Sequence, residues 1–144
     1  MRVPLEYLSP RRPLVVVEAT VNGLGPLPFV VDTGATITSI SPPIAEAISM
    51  STQAGAGVGS GGAFTTSVGL LRTLEFCGVR VERSPAAVID LRHLAEGPHR
   101  PAGILGYSAL RHTRLSIDYR ARWIEIVPLE GDVDVACLDP ARAS

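Results

Sequence analysis

Apolar positions along this chain recur mostly with a period of two, and turn residues cut them at short intervals. Leu14 to Val21 is a Val-rich strand pattern, and Asn22-Gly23 followed by Gly25-Pro26 signals a hairpin turn. Leu27 to Val31 predicts the returning strand, which ends at Asp32. Thr36 to Ser41 is extended, being rich in Thr, Ser and Ile. Ser41-Pro42-Pro43 then opens a short helix through Ile48, with Ser41 as its cap and Pro42 in its first turn. Ala54 to Gly62 is Gly-rich and polar. Ala63 to Leu74 is a strand pattern, Glu75 to Val81 a hairpin turning at Cys77-Gly78, and Pro85 to Leu91 a further apolar strand. His93 to Pro101 is expected to be a surface loop, Ala102 to Gly106 a small strand, and Tyr107 to His112 one or two helical turns. Leu115 to Asp118 and Trp123 to Val127 predict a final hairpin. This punctuation, with Gly and Pro at most boundaries, is that of an all-β domain. No tandem repeat has a fixed period. A looser echo does occur: an apolar pair, a Gly and then a helix appear at Val30 to Ile48 and again at Ile104 to His112.

Composition narrows the function classes. The 144 residues suit one domain, placed at 1–130 with a polar tail at 131–144, and 46% hydrophobic content supports an ordinary core. There are 13 basic residues, all Arg, against 14 acidic ones, for a net charge of -1. That balance gives no electrostatic reason to expect nucleic acid or an anionic membrane as partner. No stretch is long and apolar enough to span a bilayer, and Met1 to Glu6 lacks a signal peptide's apolar segment, so the expected setting is cytoplasmic. Cys77 and Cys137 form no CxxC pair. His93, His99 and His112 are scattered beside Arg or Pro and read as surface residues. No metal site and no cofactor are expected.

One tripeptide carries chemistry: Asp32-Thr33-Gly34, preceded by Pro28-Phe29-Val30-Val31 and followed by Ala35. Alone it is a weak signal, and its plain alternative is a turn carboxylate. Its context is stronger, because a carboxylate at the end of a buried strand is expensive without hydrogen bonds or a function. The serines have no Gly-x-Ser-x-Gly setting, and the Gly-rich stretch has no following Lys-Ser/Thr for a phosphate loop. Asp118 reads as a hairpin-end residue, and Trp123 as core or subunit interface.

These residues resemble the retropepsin-like, single-domain aspartic proteases found in retroviruses and bacteria. Phe29 to Ala35 is similar to that family's catalytic loop, and Gly103-Ile104-Leu105-Gly106 to the apolar-apolar-Gly element crossing behind it. Gly57 to Gly62 follows Asp32 at a distance that suits the family's flap, although Gly59, Ser60, Gly61 and Gly62 replace its usual apolar tip. The resemblance implies an acid-protease β-barrel with one or two short helices, acting on extended polypeptides. It implies Asp32 as the catalytic residue, supported by Thr33, Gly34, Ala35 and Gly106. It also implies Val58, Gly59, Ser60, Gly61, Gly62, Ala63 and Ile104 at the flap and substrate cleft.

Only one Asp-Thr-Gly is present, whereas the family's chemistry needs two carboxylates. The implied enzyme is therefore a symmetric homodimer with Asp32 from each subunit at the two-fold axis. Two alternatives stand beside it. One is a catalytically silent module that kept the fold for dimerisation or peptide binding, and the other is a proteolytic domain excised from a larger regulatory protein.

Overall fold

The computed structural model describes residues 1–59 and 62–129, with backbone pairing alone for 55–59 and 62–66. The expected tail at 131–144 lies outside the described residues. Two sheets are present. β1 (Arg2–Pro4), β10 (Thr113–Asp118) and β11 (Trp123–Pro128) form the smaller one, in the order β1-β11-β10. The larger one contains β2 (Glu6–Tyr7), β3 (Val15–Val21), β4 (Leu24–Val31), β5 (Thr38–Ile40), β6 (Thr52–Gly59), β7 (Gly62–Phe76), β8 (Val79–Val88) and β9 (Gly103–Leu105). Its order is β2-β3-β4-β9-β5-β8-β7-β6, and a further β3–β7 pairing closes it into a barrel. α1 (Pro42–Ala47) and α2 (Tyr107–Leu110) are the two short helices, and Arg92–Leu94 adds one 3-10 turn.

Alternation explains the core. Along β3 the buried positions are Val17, Ala19 and Val21, and along β11 they are Ile124 and Ile126. Opposite-facing side chains of a strand then leave one face for solvent. Phe29, Ile40, Leu71, Leu74 and Leu105 complete a core with no exposure at all. Each such side chain stabilises the fold by roughly 1.5–3 kcal/mol through burial alone.

Two hairpins turn on residue pairs with positive φ, Asn22-Gly23 (49° and 84°) and Cys77-Gly78 (49° and 81°). Positive φ at both central residues is the type I′ geometry that matches strand twist. Asn22 also ties its turn to the barrel seam. Its side-chain oxygen accepts from Thr73 N–H at 3.1 Å, and its own N–H donates to the Thr73 carbonyl at 2.9 Å.

Two expectations need correction, and two segments gain detail. Gly25-Pro26 lies inside β4 rather than in the turn, because the two-residue turn is already complete at Asn22-Gly23. Ser41 precedes α1, but its hydroxyl makes no cap bond; its carbonyl accepts from Ile44 and Ala45 instead. The Gly-rich segment from Ala54 is strand β6 as far as Gly59, held in register by β7 from Thr52↔Gly69 to Gly59↔Gly62. Pairing with a strong neighbour overrides weak intrinsic strand propensity there. Part of the His93 to Pro101 loop is ordered by the 3-10 turn and by a Glu96↔His99 bridge.

Candidate active site

The parallel pairing of β4 with β9 builds the site. Phe29↔Gly103, Val30↔Ile104 and Val31↔Leu105 are in register, and β9 continues this pattern by accepting Asp32 N–H at the Leu105 carbonyl, 3.0 Å away. Gly103 is required by packing, since a Cβ there would collide with the Phe29 ring and the Ser39 carbonyl. β4 stops at Val31, and the chain turns sharply: Ala35 N–H donates to the Asp32 carbonyl at 3.1 Å.

Within that turn the Asp32 Oδ1 accepts the Gly34 N–H at 2.9 Å. A Cβ on Gly34 would sit 3.2 Å from the same oxygen, so a side chain at 34 would press on the carboxylate. The bond fixes one carboxylate oxygen and leaves the rest of the group facing outward. Asp32, Thr33 and Gly34 are all exposed in the single chain. Asp32 is thus not burdened by burial: β4 ends at the rim of the barrel, and no described residue covers the carboxylate.

The second half of the clamp comes from the start of α2. Tyr107 N–H donates to the Ala35 carbonyl at 2.7 Å, and Ser108 N–H to the Thr36 carbonyl at 3.1 Å. Gly106 makes this approach possible. A Cβ there would lie 2.6 Å from the Ile37 carbonyl oxygen and 2.9 Å from that of Ala35, closer than real side chains come.

Beneath the loop lies a polar network that the residue pattern did not reveal. Thr38 is fully buried, and its Oγ1 accepts the Gly106 N–H at 3.1 Å. The Ser108 hydroxyl accepts from Thr38 N–H at 2.9 Å and bonds the Thr38 hydroxyl at 3.4 Å. The partners are 70 residues apart, so only the folded chain brings them together. Buried polar groups paired this way hold a single geometry, because a misplaced partner leaves an orphaned donor.

Thus Asp32, Thr33, Gly34, Ala35 and Gly106 form one cluster. Ile104 stands behind it, half-buried in β9 between β4 and β5. Val58, Gly59, Gly62 and Ala63 lie on the β6–β7 hairpin, where Val58↔Ala63 and Gly59↔Gly62 are the last pairs. Ser60 and Gly61, between them, lie outside the described residues. Beyond Ser67, the last β7 residue paired to β8 (with Val88), the hairpin is a two-stranded ribbon.

Other titratable groups have structural work. Asp118 accepts the Ala121 N–H at 2.8 Å and closes the β10–β11 turn. Asp90 is pushed down to about 2 by hydrogen bonds from the Arg92 side chain and backbone. Burial pushes the Cys77 thiol up. Among the described residues no group of three His, Cys, Asp or Glu could hold a metal, and no helix is long and apolar enough to cross a membrane. Surface clefts of ≈ 690 and ≈ 750 Å³ flank α1, and the Asp32 loop lines neither.

A closed β-barrel with an Asp-Thr-Gly turn clamped by a crossing strand is the architecture of a retropepsin-like aspartic protease. The sequence profile of the family described as "Aspartyl protease" matches residues 17–109, well over half the chain, so this chain belongs to that family. The crystal structure of a retropepsin-like aspartic protease from Rickettsia conorii is similar in fold, with a TM-score of 0.63. That match spans 90% of this chain and 94% of the other at 15% identity. Among curated proteins none matches this chain.

Proposed function

We propose that the chain is an aspartic endopeptidase whose active site is assembled from two copies of it, with Asp32 as the catalytic residue of each. The observation that carries this reading is the state of Asp32: a carboxylate oriented by the Gly34 N–H, at the tip of a doubly clamped turn, yet uncovered. A surface turn carboxylate does not need a fully buried Thr38 bonded to Ser108 and two backbone clamps beneath it. A half-site does. Position must be exact to a fraction of an ångström when the second carboxylate arrives from another subunit.

Two carboxylates brought within about 3 Å share one proton, since both cannot readily ionise. Their titration then belongs to the pair. The ionised member takes a proton from a water held between them, and that water attacks the peptide carbonyl. The protonated member donates to the carbonyl oxygen as it gains charge. Thr33, exposed beside Asp32, would bond across the two-fold axis, and Gly34 would admit the substrate backbone. The β6–β7 ribbon would cover an extended peptide and add strand-like hydrogen bonds to it. The substrate class is therefore a polypeptide in extended conformation, bound mainly through its backbone.

Asp32→Asn tests the reading. It keeps an acceptor oxygen for the Gly34 N–H but removes the proton chemistry, so cleavage of an unfolded polypeptide should fall by about 10²–10⁴-fold or more. The parent's rate should show a bell-shaped, acid-leaning pH profile. Full cleavage by a pure, folded Asp32→Asn protein would sink the mechanism. A folded dimer that binds peptides uncut would instead identify the silent binding module.

A further inference from the structure

Six large hydrophobic side chains are exposed among the described residues: Met1, Leu24, Leu70, Tyr107, Tyr119 and Leu129. Tyr107 differs from the other five in where it is anchored. Its N–H is the one that clamps the Ala35 carbonyl, and Ala35 closes the Asp32 turn. It therefore stands on the rim of the candidate site, with 51% of its surface exposed. Leu24, by contrast, is at the opposite end of β4 from Asp32, about eight residues or roughly 26 Å away along the strand.

The separation can be bounded. A hydrogen-bonded β-turn keeps its end Cα atoms within about 7 Å, so Asp32 and Ala35 are at most that far apart. Backbone neighbours joined by a hydrogen bond sit about 5 Å apart, which places the Tyr107 Cα within roughly 12 Å of that of Asp32. A standard interface buries about 800 Å² on each partner, a disc of roughly 16 Å radius. An average interface centred on a dimer axis beside Asp32 therefore reaches the Tyr107 backbone. Symmetry doubles the effect, because an isologous contact uses the ring from both subunits. A half-exposed Tyr on a locked backbone is also well suited to the task. It offers a large apolar face on a side chain with only two rotatable bonds, and Tyr is enriched among residues that dominate interface energy.

We propose that Tyr107 is a subunit contact, its ring packing against a second copy of this chain beside the paired Asp32 turns. The proposal rests on the reading of Asp32 as half of a shared site and deepens it by naming a residue that holds the halves together. Tyr107 is not assigned to the chemistry.

Sedimentation equilibrium over a wide concentration range tests it, with Asp32→Asn present throughout to prevent self-cleavage. Tyr107→Ala should raise the dimer dissociation constant about tenfold or more, and Tyr107→Phe should change it by less than about threefold. Tyr107→Arg is the second variant should Tyr107→Ala fold poorly by circular dichroism, and it should weaken the dimer at least as much. An unchanged dissociation constant in folded Tyr107→Ala or Tyr107→Arg overturns the inference and leaves the shared-site reading standing. A Tyr107-intact protein that stays monomeric at the highest concentration overturns both.

Discussion

The Asp32 turn and the β6–β7 ribbon, the two parts of the proposed site, are built in opposite ways. The turn is held from three directions. Leu105 accepts from Asp32, the start of α2 clamps Ala35 and Thr36, and the buried Thr38, itself bonded to Ser108, holds Gly106 from below. The ribbon beyond Ser67 pairs only with itself among the described residues. In the proposed enzyme one part is a fixed tool and the other a cover joined to the barrel at one end. The difference follows from what each must do: reacting carboxylates need fixed positions, whereas a cover must admit and release a chain.

Removing the cover should break activity without breaking the fold. If residues 57–64 are replaced by Asn-Gly, Ala56 and Thr65 become the ends of a two-residue hairpin. Circular dichroism and thermal melting should then stay close to the parent's, because the β7–β8 pairing and every described core residue are kept. Hydrolysis should drop by about 100-fold or more in kcat/KM, as several substrate hydrogen bonds worth about 0.5–1.5 kcal/mol each are lost. Retained hydrolysis would show that the ribbon is not part of the site.

The clamp predicts the reverse pattern, a loss of stability. Thr38→Val leaves the buried Gly106 N–H without its acceptor and removes the hydroxyl–hydroxyl bond to Ser108, which keeps only the backbone N–H of residue 38. Urea unfolding should show a loss of about 1–3 kcal/mol. Activity should fall as well, and Thr38→Ser should recover most of both. A neutral Thr38→Val would mean that the turn does not depend on the network below it.

The smallest effect should come from a pair that belongs to neither region. Asp90 sits below its ordinary value of 3.8, at about 2, because Arg92 bonds its carboxylate. A folded-state value that is depressed contributes stability above the unfolded pKa and loses it as pH falls through the folded one. The contribution is thus complete above about pH 4 and gone below about pH 2. Both side chains are exposed, so Asp90→Asn should alter urea midpoints only slightly at neutral pH, and the difference from the parent should vanish near pH 2.

The hairpin turns were legible because they depend on local residue types: Asn22-Gly23 and Cys77-Gly78 both announce reversals. Asp32 was legible for the same reason, as a short pattern at the end of an apolar strand. What was not legible depends on distant pairing. β1 contains Arg2-Val3-Pro4, too short and too poor in strand formers to announce itself, and exists because β11 accepts it through Val3↔Ile124. β6 alternates Gly and Ala and takes its register from β7. The exposure of Asp32 was not legible because an apolar run tells which strand is buried, not where the barrel rim falls across it. Thr38 and Ser108 carry no local signal of their contact, and Tyr107 reads like any residue of a short helix until its clamp to Ala35 is seen.

The central claim, one active site from two chains, is tested most directly by mixing subunits. Parent protein at fixed concentration, well above its dimer dissociation constant, is equilibrated with a threefold excess of Asp32→Asn protein and assayed for peptide hydrolysis. If each site needs both Asp32 carboxylates, random exchange leaves about one quarter of the parent subunits in intact pairs, and activity falls to about one quarter. Activity that stays at the level of the parent alone would mean that each chain works by itself, and would contradict the account.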